Sequence, residues 1–429
     1  MNDQATLLKT LNETHDLVLS MLEGLTDEQL NVPCVPGINP PLWEVGHAAF
    51  FYERFVLQWL DGGTTYNPAM DEIWDSFELA HEDRWLPGLF PDQQETLTYF
   101  SEVYRRVAAR IQAKPLTDQA HYLVKYAIFH QHMHLESMTW CRQTLAYSPS
   151  PGAVMPAQAT HHDKLGDVQV PGGVYRFGMP ANSPDFATTG FCFDNEKPGF
   201  SREIAPFSVS ATLVSNAEFL DFVLAGGYQN DLFWSMGGLR WRDRNKARNS
   251  AYWRQVDGQW QEKHFDRWLT LQPEFAVRHV SFWEAQAYCK FAGRRLPTEL
   301  EWEAAALGNL EGRSFRLFPW GDTMDSNRVD MDRKQLGRLP VSALPEGASP
   351  WGCRQMIGTV WEWTADQFMP YDGFCMDMYP FMSTLQFGDH KVVRGGSCAT
   401  SSLLIRGTYR QAYLPDRNDV FVGFRTCAI

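Results

Sequence analysis

The chain has 429 residues, with 38 basic against 51 acidic side chains, a formal net charge of −13 and a hydrophobic share of 44%. That balance excludes wholesale disorder and a collagenous or mucin-like chain, and the length suggests two or three domains at about 150 residues each. An acidic surface repels phosphate backbones, so nucleic acid is not an expected partner.

The first 147 residues read as helical. Apolar side chains recur at helical spacing in Leu7, Leu8 and Leu11, and again in Leu17, Val18, Met21, Leu22 and Leu25. Thr26-Asp27-Glu28-Gln29 supplies a helix start with Thr26 as its cap. Further helices are predicted over about 42–59, 92–113 and 117–145. Four long helices predict an antiparallel bundle. The connection from Asp61 to Phe90 is long for a bundle, and such loops carry function or a small element of their own. Residues 148–164 are Pro-rich and aperiodic, as a linker is; His161 and His162 fall there and carry no expected role. From 165 to 429 glycine and proline are frequent and strands look short, which predicts an irregular α+β domain. Its clearest helices are Ser281–Ala292 and Thr298–Leu307, the latter with Thr298 and Glu301 as a capping box.

The eight cysteines form no C-x-x-C pair. Scattered cysteines in a large chain read as reduced, and cytoplasm is the expected compartment. The opening MNDQATLLKT has no basic and apolar signal, and nowhere do about 18 apolar residues run together, so a membrane span is not expected.

The histidines carry the chemistry. His130 and His134 are four apart inside the last predicted helix and share a face, so both imidazoles can reach one ion. His132 and Glu136 lie off that face. In zinc proteases of the HExxH type the residue after the first histidine is the general base, but here it is Gln131. A third ligand has to come from another helix, and His47, among apolar and small neighbours, is the candidate. Three neutral imidazoles leave coordination positions open, and on ligand type alone iron(II) and zinc are not separated. The competing reading is a set of core histidines bonded to backbone or aromatics.

Arg294-Arg295-Leu296-Pro297-Thr298-Glu299, Gly358-Thr359-Val360-Trp361-Glu362-Trp363-Thr364, Arg394-Gly395-Gly396-Ser397 and Gly423-Phe424-Arg425 resemble the formylglycine-generating-enzyme (sulfatase-modifying factor) fold, a C-type-lectin-like α+β domain. His47 with His130-x3-His134-x-Glu136 resembles a DinB-like four-helix bundle. Together they resemble the ergothioneine sulfoxide synthase family and its relative, the selenoneine synthases, over nearly the whole chain. The resemblance implies a bundle over 1–147 carrying the iron ligands, a linker over 148–164, and a domain over 165–429 completing the substrate site. It implies iron(II) held by His47, His130 and His134, with dioxygen as co-substrate. Hercynine, the trimethylated betaine of histidine, is the implied acceptor, and sulfur or selenium is joined to its imidazole C2.

Departures from the family pattern bear on the donor. The loop Trp74–Trp85 holds one arginine, Arg84, and several acids, where enzymes using γ-glutamylcysteine carry an arginine-rich loop. Gln411 replaces an asparagine that seats hercynine, Tyr413 replaces a donor-binding acid, Arg417 keeps a donor-facing position, and Met133 stands where a hercynine-contacting glutamine is usual. These changes favour a neutral selenosugar, with cysteine left open as donor. Tyr379 is the closest match to the family's proton-donating tyrosine, and a packed loop tyrosine is the competing reading. Formylglycine generation is disfavoured, because Thr400 and Ile405 occupy the places of its cysteine pair. A non-catalytic binding module and a zinc-dependent thiol transferase are the remaining rivals.

Overall fold

The computed structural model describes residues 3–62, 65, 68–151, 153, 165–179, 191–377, 379 and 382–429. The predicted linker lies mostly outside the described residues, His161 and His162 included. The chain divides into one unit of Met1–Pro151 with Ala187–Phe191 and a second of Gly152–Phe186 with Cys192–Ile429.

Four long helices build the first unit: α1 (Gln4–Leu22), α2 (Pro41–Tyr52), α3 (Gln93–Ala113) and α4 (Asp118–Thr144). Each start is set by local chemistry. Asp3, Asp92 and Thr117 accept the backbone N–H of Thr6, Glu95 and Ala120. Proline opens α2, where its missing N–H is harmless. Thr26, the predicted cap, forms a capping box with Gln29, on a single turn at Asp27–Leu30. Leu7, Leu11, Val18 and Met21 of α1 and Tyr99, Phe100, Val103, Val107 and Ile111 of α3 supply buried stripes. Burying a side chain such as Phe100 contributes about 2–3 kcal/mol. After Tyr52 the helix widens into a π-helical stretch, Glu53–Gln58, instead of continuing as predicted. The 61–90 connection holds short elements at Pro68–Met70, Asp71–Trp74 and Glu82–Trp85. Phe191 packs on Tyr122 and Phe129 of α4 with ring centroids 5.0 and 4.8 Å apart.

The second unit is an irregular α+β fold around small sheets. Its strands are β1 (Asp167–Val170), β2 (Gly173–Phe177), β3 (Phe200–Ile204), β4 (Phe207–Ser210), β5 (Trp253–Val256), β6 (Gln259–His264), β7 (Arg267–Thr270), β8 (Trp361–Gln367), β9 (Lys391–Arg394), β10 (Arg410–Tyr413) and β11 (Val422–Gly423). The largest sheet has the order β10-β9-β8-β11, with only the β8–β11 pair parallel. Its helices are α5 (Asn216–Leu224), α6 (Met236–Asn245), α7 (Phe282–Phe291) and α8 (Glu299–Leu307).

The sequence motifs of this unit hold one another. Arg425 forks onto Glu362 at 2.6 and 2.9 Å. Arg394 reaches Glu299 at 2.8 Å and Glu303 at 2.6 Å, and Arg410 clamps Glu299 at 2.7 and 2.9 Å. All are buried. The Gly395-Gly396 pair has φ of 94° and 78°, and a Cβ on Gly395 would stand 2.6 Å from the Met356 carbonyl oxygen, so only glycine fits there.

Candidate metal centre

Two helices of the bundle bring three imidazoles together. His47 sits in the middle of α2; His130 and His134 lie one turn apart on α4. One nitrogen from each lies within 4.8 Å of the others, and the Nε2 atoms of His130 and His134 are 3.2 Å apart. Two nitrogens on one ion at about 2.1 Å each would be separated by about 3.0–3.4 Å, so the spacing suits shared coordination.

Two of the rings are aimed by a second bond. His47 donates Nδ1–H to the Trp74 carbonyl at 2.6 Å. His134 Nδ1 meets the Glu44 carboxylate. Trp43 stacks on His47 at 4.7 Å between centroids, and Phe51 stacks on His130 at 3.9 Å. Burial pushes the His47 imidazole down to about 3, repulsion from His134 adds to this, and the Trp74 bond opposes it. His130 is held well below its ordinary value, first by burial and then by repulsion from His134 and His47. Both rings are therefore neutral at pH 7 with lone pairs available, the state a cation requires. Burial works to raise Glu44, but attraction to His134 and bonds from His134, Ser137 and Asn39 outweigh it and hold the carboxyl at about 2. The donor set fits a divalent metal: three imidazole nitrogens, two of them on rings backed by an acceptor.

His132, off the shared face as expected, is buried and bonds Thr14 Oγ1 at 3.0 Å. Glu136 is buried on α4. Met133 is partly buried on the same helix. The other candidate site residues belong to the second unit. Gln411 and Tyr413 lie on β10, and Gln411 Oε1 accepts the Ala412 N–H at 2.9 Å. Arg417 forks onto Asp419 at 2.6 and 2.7 Å and lies 5.5 Å from the Tyr413 ring centroid. Tyr379 is buried. Thr400 Oγ1 accepts the Ser397 N–H at 2.8 Å, a structural bond within the Arg-Gly-Gly-Ser turn.

Sequence reasoning missed Glu44 and Trp74. Glu44 was within reach, since it lies three residues before His47 on the same helix. The Trp74 carbonyl left no trace, because any residue type offers one. Trp43 and Trp74 also line a cavity of about 380 Å³ with Arg84 and Trp85.

Residues 10–138 match the DinB superfamily, and residues 152–428 match the sulfatase-modifying factor enzyme 1-like domain. Fold and matches define a class in which a DinB helical unit precedes a sulfatase-modifying-factor unit. The hercynine oxygenase of Mycolicibacterium smegmatis is 30% identical over 98% of this chain and 98% of its own length. That of Mycobacterium tuberculosis is 31% identical over 94% of each. The formylglycine-generating enzyme of Streptomyces coelicolor is 30% identical over 66% of this chain and 95% of its own length. The chain belongs to the hercynine oxygenase family.

Proposed function

We propose that the chain is a mononuclear non-heme iron(II) oxidoreductase that uses dioxygen to join a selenosugar to imidazole C2 of hercynine. One observation carries the reading: three imidazoles, two buried and one partly buried, converge in a chain similar to hercynine oxygenases over nearly its whole length. In this reading residues 1–147 are the iron-bearing bundle, 148–164 the linker, and 165–429 the domain supplying substrate and proton-donor residues.

A ferrous ion held by His47, His130 and His134 would supply dioxygen chemistry and open positions that orient the reactants. The remaining work falls to side chains. Trp74 and Glu44 fix two ligand rings. Met133, Gln411, Tyr413 and Arg417 seat the substrates, and the Tyr379 phenol donates a proton. Coupling C2–H to Se–H or S–H removes two electrons and two protons, which dioxygen accepts. A sulfoxide product uses all four oxidising equivalents, as C–H + S–H + O2 gives C–S(=O) + H2O. A selenoether uses two and leaves hydrogen peroxide.

A neutral selenosugar is preferred over γ-glutamylcysteine on charge, with cysteine left open. Asp419 already neutralises Arg417, and Arg84 stands among Glu72, Asp75, Glu78, Glu82 and Asp83. Such surroundings disfavour a dicarboxylate donor. The second reading is a sulfoxide synthase taking cysteine or γ-glutamylcysteine; the relatives' name gives the acceptor and leaves the donor open. The test is anaerobic loading with iron(II) and hercynine alongside selenosugar, cysteine or γ-glutamylcysteine, followed by air and mass spectrometry. The expected result is a C–Se adduct in the selenosugar arm. A C–S adduct alone selects the second reading. Absence of stoichiometric iron and of oxygen uptake in every arm marks a non-catalytic binding protein, and product formed without dioxygen marks a zinc-type transferase.

A further inference from the structure

The bundle buries a carboxylate to which the proposed coupling gives no chemical step. Glu44 is 2% exposed and lies in the first turn of α2. Three donors converge on it: His134 Nδ1, Ser137 Oγ at 2.6 Å and Asn39 Nδ2 at 2.8 Å. The same Asn39 accepts Arg84 Nη1 on its Oδ1 at 2.6 Å. The Arg84 guanidinium lies 3.8 Å from the Trp43 ring centroid, and Trp43 in turn stacks on His47. The 71–90 loop therefore touches the centre twice. Its Trp74 carbonyl holds His47, and its Arg84 reaches His134 through Asn39 and Glu44.

We propose that Glu44 is a positioning residue of the metal centre, keeping the His134 proton on Nδ1 and the lone pair on Nε2, and that the Glu44–Asn39–Arg84 chain links metal binding to the order of the 71–90 loop. This inference rests on the metal-centre reading above. An anion behind a ligand imidazole fixes its tautomer and ring plane and raises its basicity, and loss of such a partner lowers metal affinity about 10–100-fold. The site demands a carboxylate and not an amide. All three neighbours of Glu44 donate, so a glutamine would set its own NH2 against one of them. The link to the loop is reciprocal: if the loop steadies the ligands, the bound metal must steady the loop by the same factor.

A carboxylate that merely ties α2 to α4 would move stability and leave metal affinity alone. Cobalt(II) titration of the apo full-length protein separates the two, because its visible bands report ligand geometry. Wild type is expected to bind one equivalent. Glu44→Gln is expected to bind about 10–100-fold more weakly with shifted bands. Asn39→Ala keeps the carboxylate and its His134 and Ser137 partners while removing the donor that joins it to Arg84, so it carries the test if Glu44→Gln does not fold. It is expected to weaken binding several-fold. Hydrogen exchange across residues 71–90 should slow on adding cobalt(II) to wild type and slow less in Arg84→Ala. Wild-type affinity and spectrum in both Glu44→Gln and Asn39→Ala, or loop exchange indifferent to the metal, overturn the inference while the metal centre stands. A wild-type protein that takes up neither cobalt(II) nor iron(II) overturns the metal-centre reading and this inference with it.

Discussion

One methyl group placed beside the centre tests whether the Trp74 carbonyl aims His47. Gly46 precedes His47 in α2, and a Cβ built there would lie 2.5 Å from Trp74 Cη2 and Cζ3 and 2.6 Å from Cδ2. Ordinary contact begins near 3.4 Å, so the ring must retreat by about 1 Å. It has little freedom to do so. Trp74 is 1% exposed, its Nε1–H points at Met70 Sδ at 3.3 Å, and it tilts against Phe90 at 5.2 Å between centroids. Overpacking of this kind costs about 1–3 kcal/mol, and a ring pinned on several sides falls in the upper part of that range. Alanine in place of glycine inside a helix returns about 1 kcal/mol. Gly46→Ala is therefore expected to lose about 1–2 kcal/mol by chemical denaturation. The functional effect is larger in proportion. The His47–Trp74 bond is 2.6 Å, and a retreat of about 1 Å takes it past bonding distance. Iron(II) affinity should fall by about tenfold, as for other losses of a ligand's supporting bond. A Gly46→Ala protein as stable as wild type and equally tight for iron would refute both the packing estimate and the positioning role of Trp74.

Other outcomes follow from the same structure. His134→Ala should abolish iron retention by metal analysis while circular dichroism shows a folded apo protein, and full iron with full activity would show that His134 is not a ligand. Tyr379→Phe should keep its iron yet slow turnover by about 10²-fold or more; unchanged rate and product would remove the proton-donor role. Arg425→Met leaves Glu362 buried without its counter-ion and should lose about 3–5 kcal/mol, with part regained in Arg425→Met/Glu362→Gln. Glu284 provides a pH signature. Burial raises its carboxyl from 4.5 to about 7, against bonds from Tyr228 and Ser281. A carboxyl raised on folding favours the folded state below its unfolded value and loses that contribution as pH climbs through 7, roughly 3 kcal/mol in all. The stability gap between Glu284→Gln and wild type should shift toward the variant by that amount from pH 4 to pH 8, and a constant gap would place the Glu284 proton elsewhere.

The bundle was legible because its information is local. The i, i+3 and i+4 stripes of α1 and α3 and the Thr26 cap are written within one or two turns, as is the Thr298 cap in the second unit, and the structure places them there. His130 and His134 are legible for the same reason, and the inward setting of His47 follows from its apolar flanks. What escaped depends on distant partners. Nothing near Glu44 announces His134, which is 90 positions away. The helices α5 and α6 were missed although they match α8 and α7 in length; α6 opens on the poor helix formers Met-Gly-Gly, but Ser215 and Glu218 of α5 form the same kind of capping box that marks α8. The π-helical stretch after Tyr52 has no sequence signature among Glu53, Arg54, Phe55 and Val56.

The motifs that made the second unit recognisable are not where its chemistry should be sought. Arg394, Arg425 and Glu299 are buried in ion pairs with one another's motifs, and the Gly-Gly turn is fixed by a backbone carbonyl. Removing one partner of a buried pair is strongly destabilising, so these residues mark the fold and would persist under any activity built on it. Residues outside those motifs can vary with substrate. Gln411 Oε1 accepts its neighbour's backbone N–H, and Tyr413 and Arg417 meet each other beside Asp419 on the following turn. Donor choice is thus expected to follow substitutions at 411, 413 and 417. On the proposed reading family membership and donor identity are encoded in different residues, and a match on the first leaves the second to be read from the side chains themselves.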